Sequence, residues 1–198
     1  MKIQYFIDVT VLTQNFDESQ RLMADVLTNM HGVANRRGEG RDGYYAIDLP
    51  GYREGQDRSL GKTFRIFAEK TDHLTFVKDA VATRMGSSVN ITEPVHILKD
   101  MIRGYRQIKK FNIPRPGSFS KRPVEEQLAA RTQRMTSAND LPYFIDRTGG
   151  RMRSTHIKMT TATVEAQAND DIDISPNSYG LAALRPDDKH SDFWVPIL

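Results

Sequence analysis

The first half of the chain alternates between two hydrophobic periods. Residues 2–12 place an apolar side chain at every second position, which is typical of a half-buried strand. The following segment changes to a helical period, with an apolar stripe after a capping Asp17 or Ser19 and with Gly32 available to end the helix. The stripe consists of Leu22, Met23, Val26, Leu27 and Met30.

The same two periods recur before residue 98. Strand patterns occupy residues 44–49, "KTFRIFAEK" and "SSVNITEPVHIL", and a helical pattern runs from Asp72 to Gly86. The resulting order βαββαβ predicts a ferredoxin-like sandwich for residues 1–98, in which both helices cover one face of an antiparallel sheet. The fold class is therefore α+β.

The charge composition changes between Lys99 and Arg122, a segment in which many cations occur with a single acidic residue, Asp100. Pro114 and Pro116 exclude a continuous helix here, so residues 99–122 are interpreted as an extended basic linker. The cations are Lys99, Arg103, Arg106, Lys109, Lys110, Arg115, Lys121 and Arg122.

Residues 123–198 combine one more helix with short strands. Pro123 suits the first turn of a helix with two distinct sides: an apolar side of Val124, Leu128 and Met135, and a polar side of Gln127, Arg131 and Arg134. The strand-like stretches "LPYFI", "STHIKMTTATVEA" and "YGLAAL" predict a small β-rich C-terminal domain. The final "FWVPIL" is apolar enough to predict a buried chain end.

Composition narrows the possible chemistry. The 198 residues contain no cysteine, so disulfides, thiolate catalysis and cysteine-based zinc sites are excluded. The net charge is only +3. No run approaches the roughly 18 apolar residues of a membrane span, and a cytoplasmic protein without a membrane partner is expected. No P-loop, GxGxxG or GxSxG motif is present, and no His or Asp group has a metal-ligand spacing, so neither a metal nor a cofactor is predicted.

Two features keep two interpretations each. The basic segment interleaves Tyr105, Phe111 and Phe119 with its charges, which fits a nucleic-acid site but also a solvated surface. His31, next to Gly32, is either a proton-transfer residue or a histidine that caps a helix C-terminus.

Several stretches follow one another in order along most of the chain: "LTNMHGV", "SLGKTFRIFAEK", "YRQIKKFN", "LPYFIDRTGG" and "YGL" with the terminal "FWVPIL". Together they resemble the CRISPR-associated endoribonuclease that processes repeat RNA in type I-F systems. The resemblance implies an arginine-bearing helix in the groove of an RNA hairpin and metal-independent cleavage at the hairpin base, leaving 2′,3′-cyclic phosphate and 5′-hydroxyl ends. It also implies that the enzyme keeps the crRNA hairpin as a subunit of a surveillance complex in a prokaryotic cell.

The resemblance also implies roles for individual residues. His31 would accept the ribose 2′-hydroxyl proton, Thr148 or alternatively Ser154 would hold the ribose, and Tyr179 would position the histidine or the backbone. Lys110 and Asn112 stand where the family reads base edges with Arg and Gln. The implied RNA contacts are Arg106, Gln107, Lys109, Lys110, Asn112, Arg115, Lys121, Arg122, Gln127, Arg131, Arg134, Arg151, Met152 and Arg153.

Two other functions compete with cleavage. One is a non-cleaving subunit that binds the RNA hairpin in the same kind of complex. The other is a general ferredoxin-like RNA-binding domain, although the aromatic "GFGFV" signature of RNA recognition motifs is missing.

Overall fold

The computed structural model describes residues 2–36, 44–111, 113, 123–148, 151–163, 180–182 and 193–198, and for residues 34–36, 146–148 and 151–153 it describes the backbone alone. Helices and strands alternate along these ranges and build two antiparallel sheets. None of the helices in the described ranges is long and apolar enough to cross a membrane.

The first sheet is built by the N-terminal half of the chain. The elements of this half are β1 Tyr5–Val11, α1 Phe16–Arg36, β2 Ala46–Asp48, β3 Thr63–Ala68, α2 Thr71–Met85, β4 Val89–Ile91 and β5 Val95–His96. The strands have the order β2-β3-β1-β4, and β5 also pairs with β1. This mixed α/β arrangement, with antiparallel strand pairs, is consistent with the predicted ferredoxin-like fold.

The predicted fourth strand is divided in the structure. A 3₁₀ turn occupies Gly86–Ser88, and the pairing with β1 is interrupted between β4 and β5. Pro94 lies in the interruption and has no backbone N–H for a ladder hydrogen bond, which accounts for the division.

Helix α1 extends further than its sequence pattern indicates. The predicted end at Gly32 is wrong, because the helix continues to Arg36. Val33 is buried and prolongs the apolar stripe by one turn. Burying a valine is worth about 1.5–3 kcal/mol, whereas a glycine within a helix costs about 1 kcal/mol. Packing therefore outweighs the local preference.

The remaining elements are β6 Gly104–Phe111, α3 Val124–Ala138, β7 Tyr143–Thr148, β8 Arg151–Ala162 and β9 Val195–Ile197. The four strands form the second sheet in the order β7-β8-β6-β9. Strand β6 pairs with β8 from Tyr105↔Ala162 to Phe111↔His156, so residues 104–111 of the predicted linker form an inner strand of this sheet. The burial of Ile108 favours this pairing of a basic segment.

Both sheets contribute to one hydrophobic core. Ile108, Ile157 and Leu181 belong to the same buried cluster as the helices and strands of the first sheet. Phe64 of β3 and Phe144 of β7 stack at 5.9 Å between ring centroids with an angle of 8° between their planes. The N-terminal and C-terminal halves are therefore held together by shared packing.

The chain end covers the opposite face of the first sheet. Phe193 and Val195 are buried in a second cluster with Phe6 and Phe67, and β9 pairs with β6. The prediction of a buried apolar end is confirmed, because this sheet face would otherwise expose apolar side chains to water.

Candidate active site and nucleic-acid interface

His31 lies on α1, five residues before Arg36, the last residue of the helix. It is half-buried and follows the fully buried Met30. The predicted position at the helix end is therefore wrong, and with it the interpretation as a capping histidine at a C-terminus. The imidazole sits instead at the border of the buried stripe, on a rigid element.

The beginnings of α1 and β7 meet at a cavity. Phe16 and Gln20 of α1 and Tyr143 and Ile145 of β7 all line it. The two elements also pack against each other. His31 lies eleven residues after Gln20, or roughly 16 Å along the helix axis. From the cavity, α1 runs towards His31 and β7 runs towards Thr148.

The segment 180–182 is clamped between the two sheets. Ile47 N of β2 donates to Gly180 O at 3.0 Å, and Ala182 N donates to Ile108 O of β6 at 3.0 Å. Gly180 has a φ of 72°, and a Cβ at this position would lie 2.7 Å from Cε2 of Tyr45. Only glycine fits there without displacing the ring, so the backbone that follows Tyr179 is closely constrained.

Two predicted RNA contacts on β6 have protein partners in the structure. Arg106 Nη1 lies 3.3 Å from both carboxylate oxygens of Asp48, a residue of β2 that is only 1% exposed. Gln107 is buried, and its Nε2 donates to Phe193 O at 3.4 Å. These side chains connect β6 to the first sheet and to the chain end.

Burial raises the pKa of the Asp48 carboxyl, and the charge of Arg106 opposes this shift. A buried carboxylate needs such a partner because removal from water disfavours its charged form. Arg106 therefore has a structural role that its sequence context does not reveal.

Helix α3 turns its apolar side to solvent, with Val124 78%, Leu128 63% and Met135 48% exposed. Gln127 and Arg131 are half-buried, and they share a helix face with the buried Ala138. Gln127 and Arg131 turn inwards along their aliphatic stems, whereas Arg134 on the same side of the helix is exposed.

The polar face of α3 meets the end of β6. Cζ of Arg134 lies 5.0 Å from the centroid of the Phe111 ring, within the range of a cation–π contact. Lys109 and Lys110 precede Phe111 on the same strand and are half-buried. This contact brings a cation of α3 to the end of β6, where Lys109 lies on the same strand face as Phe111 and Lys110 lies on the opposite face. We call Lys109, Phe111 and Arg134 the basic cluster.

Comparison with known proteins assigns the chain to a family. The family model described as CRISPR-associated protein (Cas_Csy4) matches residues 6–184. The chain belongs to the Cas_Csy4 family. This membership confirms the resemblance to CRISPR repeat-RNA processing endoribonucleases that the sequence motifs carry. A search of curated proteins finds no match.

The similar solved structures share little sequence with this chain. The CRISPR endoribonuclease Cse3 bound to a 19-nucleotide RNA is 9% identical, with a TM-score of 0.37, and the match covers 91% of this chain and 97% of that one. A structure assigned as a chlorite dismutase is 12% identical, with a TM-score of 0.30 and coverages of 87% and 81%. The heme-bound N246H variant of Rhodococcus jostii RHA1 DypB is 10% identical, with a TM-score of 0.32 and coverages of 83% and 82%.

The remaining predicted site residues of this Cas_Csy4 member divide into three groups. Ser154 is exposed on β8, whereas Thr148, Arg151, Met152 and Arg153 are placed by their backbone alone, on the β7–β8 hairpin. The predictions for Tyr179, Asn112, Arg115, Lys121 and Arg122 lie outside the described residues.

Several features of the Cas_Csy4 chain are not evident from its sequence. The Asp48–Arg106 pair and the cavity at the start of α1 join residues that are distant in the chain, so no local motif indicates them. His156 is another example, because burial lowers its pKa although nothing in its sequence context suggests this. Across the described ranges no group of three or more His, Cys, Asp or Glu could hold a metal ion.

Proposed function

We propose that this Cas_Csy4 protein is a metal-independent endoribonuclease that cleaves CRISPR repeat RNA at the base of its stem-loop. It then retains the crRNA hairpin as a subunit of a type I-F surveillance complex. The observation that carries this proposal is the family match over residues 6–184, which includes His31, α3 and the β7–β8 hairpin.

His31 acts as the general base of the proposed reaction. Its imidazole accepts the proton of the ribose 2′-hydroxyl next to the scissile phosphate, and the 2′-oxygen attacks phosphorus in line. A P–O2′ bond forms and the P–O5′ bond breaks, which leaves a 2′,3′-cyclic phosphate. The departing 5′-oxygen takes up a proton from the protonated His31 and becomes a hydroxyl. A half-buried position on a rigid helix suits this role, because proton transfer requires a fixed geometry.

Strand register favours Thr148 over Ser154 as the hydroxyl that holds the ribose. Ser154 pairs with Ile145, which lines the cavity at the start of α1. Thr148 pairs with Arg151 and lies three residues further along β7, about 10 Å beyond Ile145. His31 also lies away from that cavity, so Thr148 is on the better side of the hairpin.

The basic cluster provides the grip on the RNA. Lysine and arginine neutralise phosphates and release counterions, and the aromatic ring of Phe111 holds the Arg134 guanidinium in place. The Arg106 side chain pairs with Asp48, so it supports RNA binding by stabilising the fold rather than by contacting the RNA. Tyr179 would be positioned by the clamped segment 180–182.

A cleavage assay tests the proposal. The protein is incubated with a CRISPR repeat hairpin in EDTA, and both product ends are mapped. We expect one cut at the stem base, and His31→Ala should slow it by roughly 10²- to 10⁴-fold without loss of hairpin binding. A 2′-deoxy substitution upstream of the scissile phosphate should prevent cleavage and preserve binding. Thr148→Ala and Ser154→Ala, compared side by side, identify the hydroxyl.

Undiminished cleavage by His31→Ala, or cleavage of the 2′-deoxy substrate, would refute the mechanism. Tight binding of the hairpin by the unmodified protein without any cut would assign it instead to the non-cleaving subunits that hold a hairpin.

A further inference from the structure

A cavity of about 670 Å³ lies at the end of α1 opposite to His31. Its volume is within the range of pockets that bind small ligands. The first turns of α1, the turn that follows Gly55, the end of α3 and the start of β7 enclose it. His31 and Ser154, whose side chains belong to the described residues, do not line it.

The walls of this cavity are fixed by backbone hydrogen bonds. Gly55 N donates to Asp140 O at 2.8 Å, which ties the turn to the end of α3. Arg58 N donates to Gly55 O at 3.2 Å and closes the turn. The cavity is therefore a built feature of the fold rather than a gap between independent loops.

Its apolar walls suit a flat ring. Phe16 is 57% exposed at the cavity, which is unusual for a phenylalanine next to a well-packed core. On the other side, Cζ of Arg58 lies 5.9 Å from the centroid of the Tyr143 ring. Unpaired nucleobases stack on exposed aromatic rings, such as that of Phe16, and on arginine guanidinium planes, such as that of Arg58.

Its polar groups suit the edge of a base rather than a phosphate. Gln20, Gln56 and Asn139 contribute three amides, and Asp17 and Asp140 contribute two carboxylates. The Gln20 Nε2 is buried and, within the described chain, has no hydrogen-bond partner. Amides pair with the N6 and N7 atoms of adenine, and carboxylates accept from exocyclic amino groups. The two carboxylates also repel phosphate.

We propose that this cavity binds one unpaired base that carries an exocyclic amino group, in the single strand that flanks the RNA hairpin. The inference rests on the proposed function. Asn139 and Asp140 directly follow α3, so the cavity continues the surface on which the hairpin would lie. Uracil, which has no amino group, loses the contact between that group and the carboxylate and should therefore bind more weakly.

The test compares the affinity of three RNAs for the protein: the hairpin alone, the hairpin with a short adenine flank, and the hairpin with a uracil flank. The adenine flank should increase affinity by at least about 5-fold over the uracil flank, the lower end for a bidentate base contact. Gln20→Leu and, independently, Asp140→Asn should abolish this difference. Asp79→Asn, an equal charge change on the exposed side of α2, should preserve it.

The flankless hairpin separates this inference from the proposed function. Both cavity variants should bind and cut it as the unmodified protein does, which also shows that they are folded. Equal affinity for both flanks, or a preference that survives both cavity variants, would overturn the proposal and leave the cavity to another ligand, such as a cationic peptide. Failure of the unmodified protein to bind the flankless hairpin would overturn the proposed function and this inference with it.

Discussion

Replacing Arg106 by alanine should destabilise the fold before it affects RNA binding directly. The substitution leaves Asp48, which is 1% exposed, without the guanidinium that lies 3.3 Å from both of its oxygens. Removing one partner of a buried ion pair costs about 3–5 kcal/mol. We take the lower end, about 3 kcal/mol, because the Arg106 side chain is 20% exposed and both contacts exceed the usual 2.7–3.2 Å of a hydrogen bond.

A matched control exists on α1. Arg21 and Asp25 also form an Arg–Asp pair, at 3.4 Å, but their side chains are 56% and 49% exposed. Exposed pairs contribute about 0–1 kcal/mol. Arg21→Ala therefore removes the same guanidinium at nearly the same distance without leaving a buried charge. The difference between the two variants isolates the effect of burial.

Urea unfolding, followed by the fluorescence of Trp194, the single tryptophan, gives the free energy of unfolding of both variants. In thermal unfolding, a loss of about 3 kcal/mol corresponds to a Tm lowered by roughly 6–12 °C in a protein of this size. Equal, small losses of stability in the two variants, together with weaker hairpin binding by Arg106→Ala alone, would refute the structural role and return Arg106 to the RNA interface.

The pH dependence of this loss has a defined sign. Burial raises the pKa of Asp48 and Arg106 opposes the shift, so the pKa should rise further in Arg106→Ala. A carboxyl with a raised pKa in the folded state favours folding when it is protonated, and this contribution is lost as pH rises through the folded-state pKa. The deficit of Arg106→Ala relative to the unmodified protein should therefore shrink on acidification from neutral pH. A deficit that is independent of pH would contradict the assignment to Asp48.

Two further predictions concern the clamped segment and the basic cluster. Gly180→Ala should cost about 1–3 kcal/mol of stability, because its Cβ would lie 2.7 Å from the Tyr45 ring at a φ of 72°. It should lower the rate of cleavage more than the affinity for the hairpin. Unchanged cleavage kinetics would show that this segment does not position Tyr179. Arg134→Gln should reduce the slope of log affinity against log salt by about 0.7–0.9, which is the share of one phosphate contact. Glu126→Gln, a charge change on the same helix, is the control. An unchanged slope in Arg134→Gln would remove Arg134 from the interface.

Local periodicity accounts for most of the first sheet. Alternation in β1 and β3 and the stripe of α1 reflect which side chains must leave water, and this requirement is written into neighbouring residues. The same reasoning misplaced the end of α1, because Gly32 is a local stop signal and the burial of Val33 depends on what lies opposite. Boundaries of elements depend on packing to a greater extent than their existence does.

The basic segment shows the limit of charge patterning. Lysines and arginines between residues 99 and 122 predicted an extended linker, yet Gly104–Phe111 pairs on both sides within the second sheet. A strand position tolerates a cation when its charge finds a partner or its stem lies along the surface. Arg106 has such a partner in Asp48, and a single sequence contains no information on that pairing.

By itself, the sequence determined the α+β character, the order of the N-terminal elements, the buried chain end and, through its motifs, the family. Each of these depends on neighbouring residues or on short stretches in a fixed order. Only the tertiary structure decided that α3 turns Gln127 and Arg131 inwards, that Arg106 pairs with Asp48, and that α1, α3 and β7 enclose a cavity. These features join residues far apart in the chain, and their free energies depend on burial, which exists only once the sheets have packed together.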